Sequence, residues 1–169
     1  LNPSSAASDV YKRQTFIMPG QRTRKRSVKQ KLNPIEIEFR DKRVLLVDDS
    51  IVRGHTSKNI VKMVRDCGAD KVFLASASPP IRHQNVYGID MPATKELIGY
   101  NRSIRRIKKY IKADELIYQD LEDLTRSASI GNPKIKEFED SVFTGKYRVG
   151  NITEEFLKNL EQTLSLIHI

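Results

Sequence analysis

The sequence predicts an α/β domain with a mostly parallel sheet. Three observations carry that expectation. Apolar runs of strand length recur at Val44 to Val47, Lys71 to Ala77 and Glu115 to Tyr118, and the first is apolar throughout, as in a buried parallel strand. Helical patterns stand between the runs, and strands alternating with helices argue for a parallel sheet. The first run also stops abruptly at two carboxylates, Asp48 and Asp49, followed by Gly54, His55, Thr56, Ser57 and a helical pattern.

Residues 1–14, LNPSSAASDVYKRQ, are polar and without period, and read as a disordered or non-native leader. Residues 15–42 read as a basic loop with an edge strand. Within them Thr15 to Met18 is a short apolar run closed by the Pro19-Gly20 turn. Gln21 to Lys31 follows, with six of eleven positions basic, and Ile35 to Phe39 alternates apolar and acidic residues as a short edge strand does. Residues 43–130 form the expected core. Ile60, Val61, Val64 and Cys67 share one face of a helix over Thr56 to Cys67, and Gly68 stands where a left-handed cap would end it.

The second strand, Lys71 to Ala77, runs into Ser78-Pro79-Pro80, and Val86 to Ile89 is a further extended candidate stopped by Asp90-Met91-Pro92. Lys95 to Tyr100 and Ser103 to Ile111 read as helices, the latter on Ile104, Ile107 and Ile111. Strand Glu115 to Tyr118 and a helix over Asp120 to Ser127 complete the core. Residues 131–169 form an arm, with a hairpin or extended segment over Ser141 to Tyr147 and an amphipathic helix over Ile152 to Leu164 carrying Phe156, Leu157, Leu160 and Leu164. There is no internal repeat.

A chain of 169 residues makes about one domain. Its formal net charge of +9 favours an acidic partner. The single cysteine, Cys67, excludes an internal disulfide framework and multi-cysteine metal sites, and its place on a helix face makes it a small hydrophobe. No apolar run approaches the roughly 20 residues of a spanning helix, so the expectation is a cytoplasmic protein with no membrane association. His83 and His168 lack partners at metal-ligand spacing and read as surface or terminal residues.

The chemistry concentrates at Asp48 to Ser57. Ligands of open α/β sheets bind beyond the carboxyl ends of strands. A glycine turn opening a helix presents N–H groups to an anion. Two adjacent acids suit Mg²⁺, which takes oxygen ligands and bridges to substrate phosphates. Paired acids at a strand end often only cap a turn, but Gly54, Thr56, Ser57 and the helix after them favour a site for a phosphorylated sugar and its metal. The basic segment reads either as a solvated loop or as a cationic lid over an anionic ligand. It has no aromatic residue for base stacking, which counts against nucleic acid.

These residues resemble the diphosphoribosyl-binding signature of type I phosphoribosyltransferases. The likeness is closer to the glutamine phosphoribosylpyrophosphate amidotransferase family. RVLLVDDSIVRG, GADKVFLASASPPIR with NVYGID, LIYQDLEDL, TFIMPGQ and SVFTGKY carry it, in order, from about Thr15 to about Thr163. The resemblance implies a type I phosphoribosyltransferase fold, truncated at its start, with Mg²⁺ and phosphoribosyl pyrophosphate as ligands. Asp48 and Asp49 would take the ribose hydroxyls and the metal. Ser50, Ile51, Val52, Arg53, Gly54, His55, Thr56 and Ser57 would form the 5-phosphate loop, and Arg22 and Lys31 of the flexible loop would contact pyrophosphate. No catalytic residue is assigned.

The implied enzyme is a glycosyltransferase forming 5-phosphoribosylamine at the entry to purine synthesis, inhibited by purine nucleotides and oligomeric when intact. The family's glutaminase domain, with its N-terminal cysteine, has no counterpart here, so the chain is expected to be an inactive fragment. His55 stands where the family usually has threonine, and Gln14 and Ser165 to Ile169 depart from its pattern. Two other readings compete with this one. VLLVDDS and Asp90-Met91-Pro92 resemble parts of a receiver domain, but the spacing is wrong and a receiver needs no phosphate cradle. A regulator sensing phosphoribosyl pyrophosphate through the same fold would need a helix-turn-helix module, which the sequence lacks.

Overall fold

The computed structural model describes residues 36–89 and 91–167. Three parallel strands, β1 (Arg43–Asp48), β2 (Lys71–Ser76) and β3 (Glu115–Tyr118), lie in the order β1-β2-β3. Arg43 pairs with Lys71 and Asp48 with Ser76; Phe73 pairs with Glu115 and Ser76 with Tyr118. The helices are α1 (Glu36–Phe39), α2 (His55–Asp66), α3 (Ile104–Ile111), α4 (Leu121–Ile130), α5 (Ser141–Thr144) and α6 (Glu154–Ile167), with a 3₁₀ turn at Thr94–Glu96. No helix among the described residues is long and apolar enough to cross a membrane.

Strand order explains where the core sits. Parallel crossovers are right-handed, and strands joined in sequential order therefore receive both crossover helices on one face. Here α2 packs against β2 and α3, and α3 against β3. Val61, Val64, Ile107 and Ile111 from the helices meet Val72, Leu74 and Leu116 from the sheet, with Ile51 and Ile98 closing the cluster. On the opposite face apolar side chains stand exposed among the described residues. Leu45, Val47 and Ile117 are 57%, 71% and 51% exposed, and the Arg43 guanidinium stands 5.4 Å from the Phe73 ring centre on that side.

Helix ends follow local chemistry. Ser103 caps α3 by accepting from the Arg106 N–H at 3.4 Å, and Asp120 caps α4 by accepting from Glu122 and Asp123 N–H at 2.9 and 3.2 Å. Gly68, at φ 88°, follows the end of α2. Asp114 ties three elements together. Its Oδ2 accepts from Val72 N–H at 2.7 Å and from Arg65 Nη2 at 2.6 Å. The Val72 bond foremost, and Arg65 with it, holds the carboxyl below the ordinary carboxylate range. That stabilisation is complete above the unfolded-state pKa and is lost as pH falls through the depressed folded value. Asp114→Ala should cost about 1–2 kcal/mol in urea denaturation at pH 7, and the difference from the parent chain should shrink in strong acid.

Several expectations are corrected. Ile35 to Phe39 is not an edge strand where it is described: Glu36–Phe39 is one helical turn. Its alternation does not produce one buried face: Phe39 packs against the core while Ile37 is 83% exposed, and Lys42 N–H closes the turn on Phe39 O at 3.1 Å. Val86 to Ile89 is no strand, because Asn85 Oδ1 accepts from both Tyr87 and Ile89 N–H and folds the segment into a turn. Lys95 to Tyr100 is not a helix beyond the 3₁₀ turn. Leu97 and Ile98 are both buried, and Ile98 N–H bonds Val52 O at 2.8 Å instead of a helical carbonyl.

Ser141 to Tyr147 is neither hairpin nor extended at its start. Glu139 accepts from Ser141 N–H at 2.9 Å, opening α5, which ends at Gly145 with φ 73°. Ile104 is 43% exposed rather than buried, since it opens α3 beyond the edge of the packed cluster. His83 is half-buried rather than a free surface residue; burial, and then the charge of Arg82, lower its pKa. The remaining strands and helices lie within a few residues of their expected bounds.

Candidate functional site

Strand alternation turns Asp48 to the helix-covered side and leaves Asp49 exposed. Asp48 O accepts from Ala77 N–H at 2.9 Å, extending the β1-β2 pairing past the strand end. Asp49 N–H donates to Asp48 Oδ1 at 3.0 Å, and Ser50 Oγ donates to Asp49 Oδ1 at 2.9 Å. Burial lifts the Asp48 carboxyl above its ordinary range; the Asp49 N–H opposes that lift and the Asp49 charge adds to it.

The loop beyond is held from behind. Ile51, 2% exposed, plugs it into the core. Val52 O takes the Ile98 N–H, and Arg53 Nε donates to Glu96 Oε2 at 2.8 Å. Gly54 then turns the chain into α2 with φ 74°, a left-handed conformation that glycine adopts without steric cost. A Cβ there would also lie 2.2 Å from Ile98 Cδ1. No side chain caps α2, and its first turn has no acidic residue. Helix starts ordinarily have both, so the first N–H groups of α2 are left without a capping side chain.

The ten candidate residues Asp48 to Ser57 thus make one strand-end, turn and helix start. His55 and Thr56 are exposed, whereas Ser57 is 4% exposed on the packing side with Val61 and Val64, leaving Thr56 as the exposed hydroxyl. Arg22, Lys31 and Asp90 lie outside the described residues. Tyr87 is directed elsewhere: its hydroxyl donates to Val149 O at 2.9 Å, and its ring meets Tyr147 edge-on. Glu161 of α6 accepts from Gln84 Nε2 at 2.5 Å and Thr94 N–H at 2.8 Å, beside a cavity of about 500 Å³ that none of Asp48 to Ser57 lines.

Three bracing residues and one buried phenol escape the sequence reading. Ile98 and Glu96 brace the loop. Tyr110 donates to or accepts from His55 Nδ1 at 2.8 Å, and the only signal for it was its place one turn after Ile107 on α3. Tyr118 stands in register with Ser76, itself in register with Asp48. Burial pushes its phenol to about 12, a signal that sequence does not carry.

Among the described residues no group of three or more His, Cys, Asp and Glu could hold a metal. Asp48 and Asp49 each have one carboxylate oxygen engaged by a neighbouring donor. That set does not make an all-protein cage. It fits Mg²⁺, which is bound through one or two carboxylates while water and substrate phosphates complete its shell.

The parallel three-stranded sheet with its flanking helices is that of a type I phosphoribosyltransferase fold, as its structural neighbours bear out. No family model matches the chain. The chain is 57% identical over 152 residues to the amidophosphoribosyltransferase of Pasteurella multocida, covering 90% of this chain and 30% of that protein. The solved glutamine phosphoribosylpyrophosphate amidotransferase of B. subtilis, complexed with ADP and GMP, matches with a TM-score of 0.59 at 39% identity, over 67% of this chain and 25% of that one. A structure described as the allosteric regulatory enzyme of purine biosynthesis matches with a TM-score of 0.61 at 35% identity, over 75% of this chain and 28% of that one. The chain belongs to the amidophosphoribosyltransferase family and spans about 30% of the length of the curated relatives it matches. These likenesses do not favour the receiver-domain and sensor readings.

Proposed function

We propose that this chain carries the phosphoribosyl-pyrophosphate site of an enzyme that forms 5-phosphoribosylamine from phosphoribosyl pyrophosphate and glutamine. The observation that carries the reading is the uncapped start of α2, turned by Gly54 directly after the Asp48-Asp49 pair, in a chain so similar to amidophosphoribosyltransferases. The N–H groups of the Gly54 turn and the Thr56 hydroxyl bind the 5-phosphate. Asp48 and Asp49 accept from the ribose hydroxyls and orient the sugar. Bound there, Mg²⁺ would supply charge neutralisation on the pyrophosphate.

In the transfer, ammonia derived from glutamine forms a bond to the anomeric carbon as the carbon–oxygen bond to pyrophosphate breaks. The electron pair leaves with pyrophosphate, and the new amine loses one proton to solvent. Positive charge develops on the sugar ring, so the nearby carboxylates favour that state over the bound substrate. Arg22 and Lys31 are the loop cations assigned to the departing pyrophosphate, and closure of the basic segment would exclude water. The glutamine chemistry belongs to the remaining length of the relatives.

Purine nucleotides are proposed as competing ligands of the same cleft, following the ADP and GMP complex of the B. subtilis relative, in a cytoplasmic, oligomeric parent enzyme. Calorimetric titration of this chain with phosphoribosyl pyrophosphate, with and without Mg²⁺, tests the reading. Saturable binding that requires the metal supports it; a folded chain that binds nothing overturns it.

A further inference from the structure

The start of α2 carries two basic-capable side chains, His55 and Lys58, where the helix dipole disfavours positive charge. One residue from another element holds both. Tyr110, on α3, hydrogen-bonds His55 Nδ1 at 2.8 Å with the rings edge-on at 6.0 Å. The Lys58 ammonium sits 4.5 Å from the centre of the Tyr110 ring. Among the described residues Lys58 has no carboxylate partner, whereas the loop's other cation, Arg53, is engaged by Glu96. The same tyrosine ring approaches Gly54, passing 3.5 Å from where a Cβ would stand. Tyr110 therefore touches the turn, the histidine and the lysine at once.

We propose that Tyr110 is a positioning residue that presents His55 and Lys58 as the side-chain half of the phosphate pocket at the start of α2, for the phosphomonoester of a phosphorylated sugar. In the tautomer in which the Tyr110 hydroxyl donates to Nδ1, the imidazole carries its proton on Nε2, the nitrogen left to donate to a phosphate oxygen. Lys58, steered by the ring face, adds charge without a competing acid. The arrangement offsets the hydroxyl lost where the family usually has threonine in place of His55. It also explains why two such side chains are tolerated at the positive end of a helix: the ligand supplies the anion. The inference rests on the phosphoribosyl reading of this site and names its phosphate-recognition residues.

The test is titration of this chain with ribose 5-phosphate, followed by heteronuclear NMR on the backbone amides of the loop and on the His55 ring nitrogens. Tyr110→Phe keeps the ring beneath Lys58 and removes only the hydroxyl. It should weaken binding about fivefold, the size of one charge-assisted hydrogen bond made less well. His55→Ala should weaken it at least as much, and the double variant no further than His55→Ala, because Tyr110 acts through His55. Lys58→Ala should weaken binding by a similar factor and reduce its salt dependence. In the parent chain, phosphate should shift the Nε2 resonance, and that shift should diminish in Tyr110→Phe; a merely structural tyrosine would leave it unchanged. Normal binding by folded Tyr110→Phe and Lys58→Ala would overturn this inference while leaving the phosphate site intact. Absence of any loop perturbation in the parent chain would overturn the site reading, and this inference with it.

Discussion

A chain carrying Asp48→Asn and Asp49→Asn should bind phosphoribosyl pyrophosphate with Mg²⁺ at least roughly a hundredfold more weakly than the parent, since metal and sugar lose their shared anchor. Its thermal stability should not fall. Burial already holds the Asp48 carboxyl above its ordinary pKa, with the Asp49 charge adding to the lift. A raised acid means that the folded state disfavours ionisation: the penalty is absent at low pH and complete above the raised folded value. Asparagine removes that penalty at neutral pH while keeping an oxygen to accept from the Asp49-position N–H. Lost binding with an unchanged or raised melting temperature at pH 7 marks carboxylates placed for a ligand. A melting temperature that drops together with binding would mean that the acids merely brace the turn.

Gly54→Ala should be the most damaging single change in the loop, lowering stability by about 2–4 kcal/mol and the melting temperature by roughly 5–15 °C. Two costs combine. The φ of 74° strains any residue with a Cβ, and that Cβ would stand 2.2 Å from Ile98 Cδ1. The second cost can relax, because Cδ1 is the free end of a side chain. Ile98→Ala in the Gly54→Ala background should therefore recover the steric part but not the backbone part. Denaturant melts of the two singles and the double separate them. If Gly54→Ala leaves both stability and ligand binding intact, the turn does not need its left-handed geometry and the phosphate loop is misassigned.

Where an apolar period is long enough to bury one face, the sequence is a sufficient guide. The strands at Val44, Val72 and Leu116 and the helices at Val61 and Ile107 are set by burial on one face, and burial periodicity is visible in a single chain. Segments folded by single polar contacts were not legible. Asn85 folds what looked like a strand, Glu139 opens a helical turn in what looked like a hairpin, and Ile98 gives its N–H to Val52 across the fold. The site divides the same way. Asp48 to Ser57 are contiguous and announce themselves by residue type and order. Glu96 and Tyr110 reach the loop from 43 and 55 residues away, and nothing in a linear pattern encodes that approach.

The apolar side chains exposed on the second face of the sheet among the described residues have a consequence for the chain in solution. Leu45, Val47 and Ile117 form a sticky plane, while the formal charge of +9 makes copies repel one another. At low ionic strength repulsion reaches about 30 Å and keeps molecules apart; near 1 M salt it shrinks to about 3 Å and the plane is free to adhere. The chain should thus remain monodisperse in dilute buffer and cluster as salt is raised, as light scattering would reveal. That is the reverse of a protein whose copies are held together by opposite charges. Colloidal behaviour and affinity for a polyanionic sugar phosphate then favour the same dilute conditions.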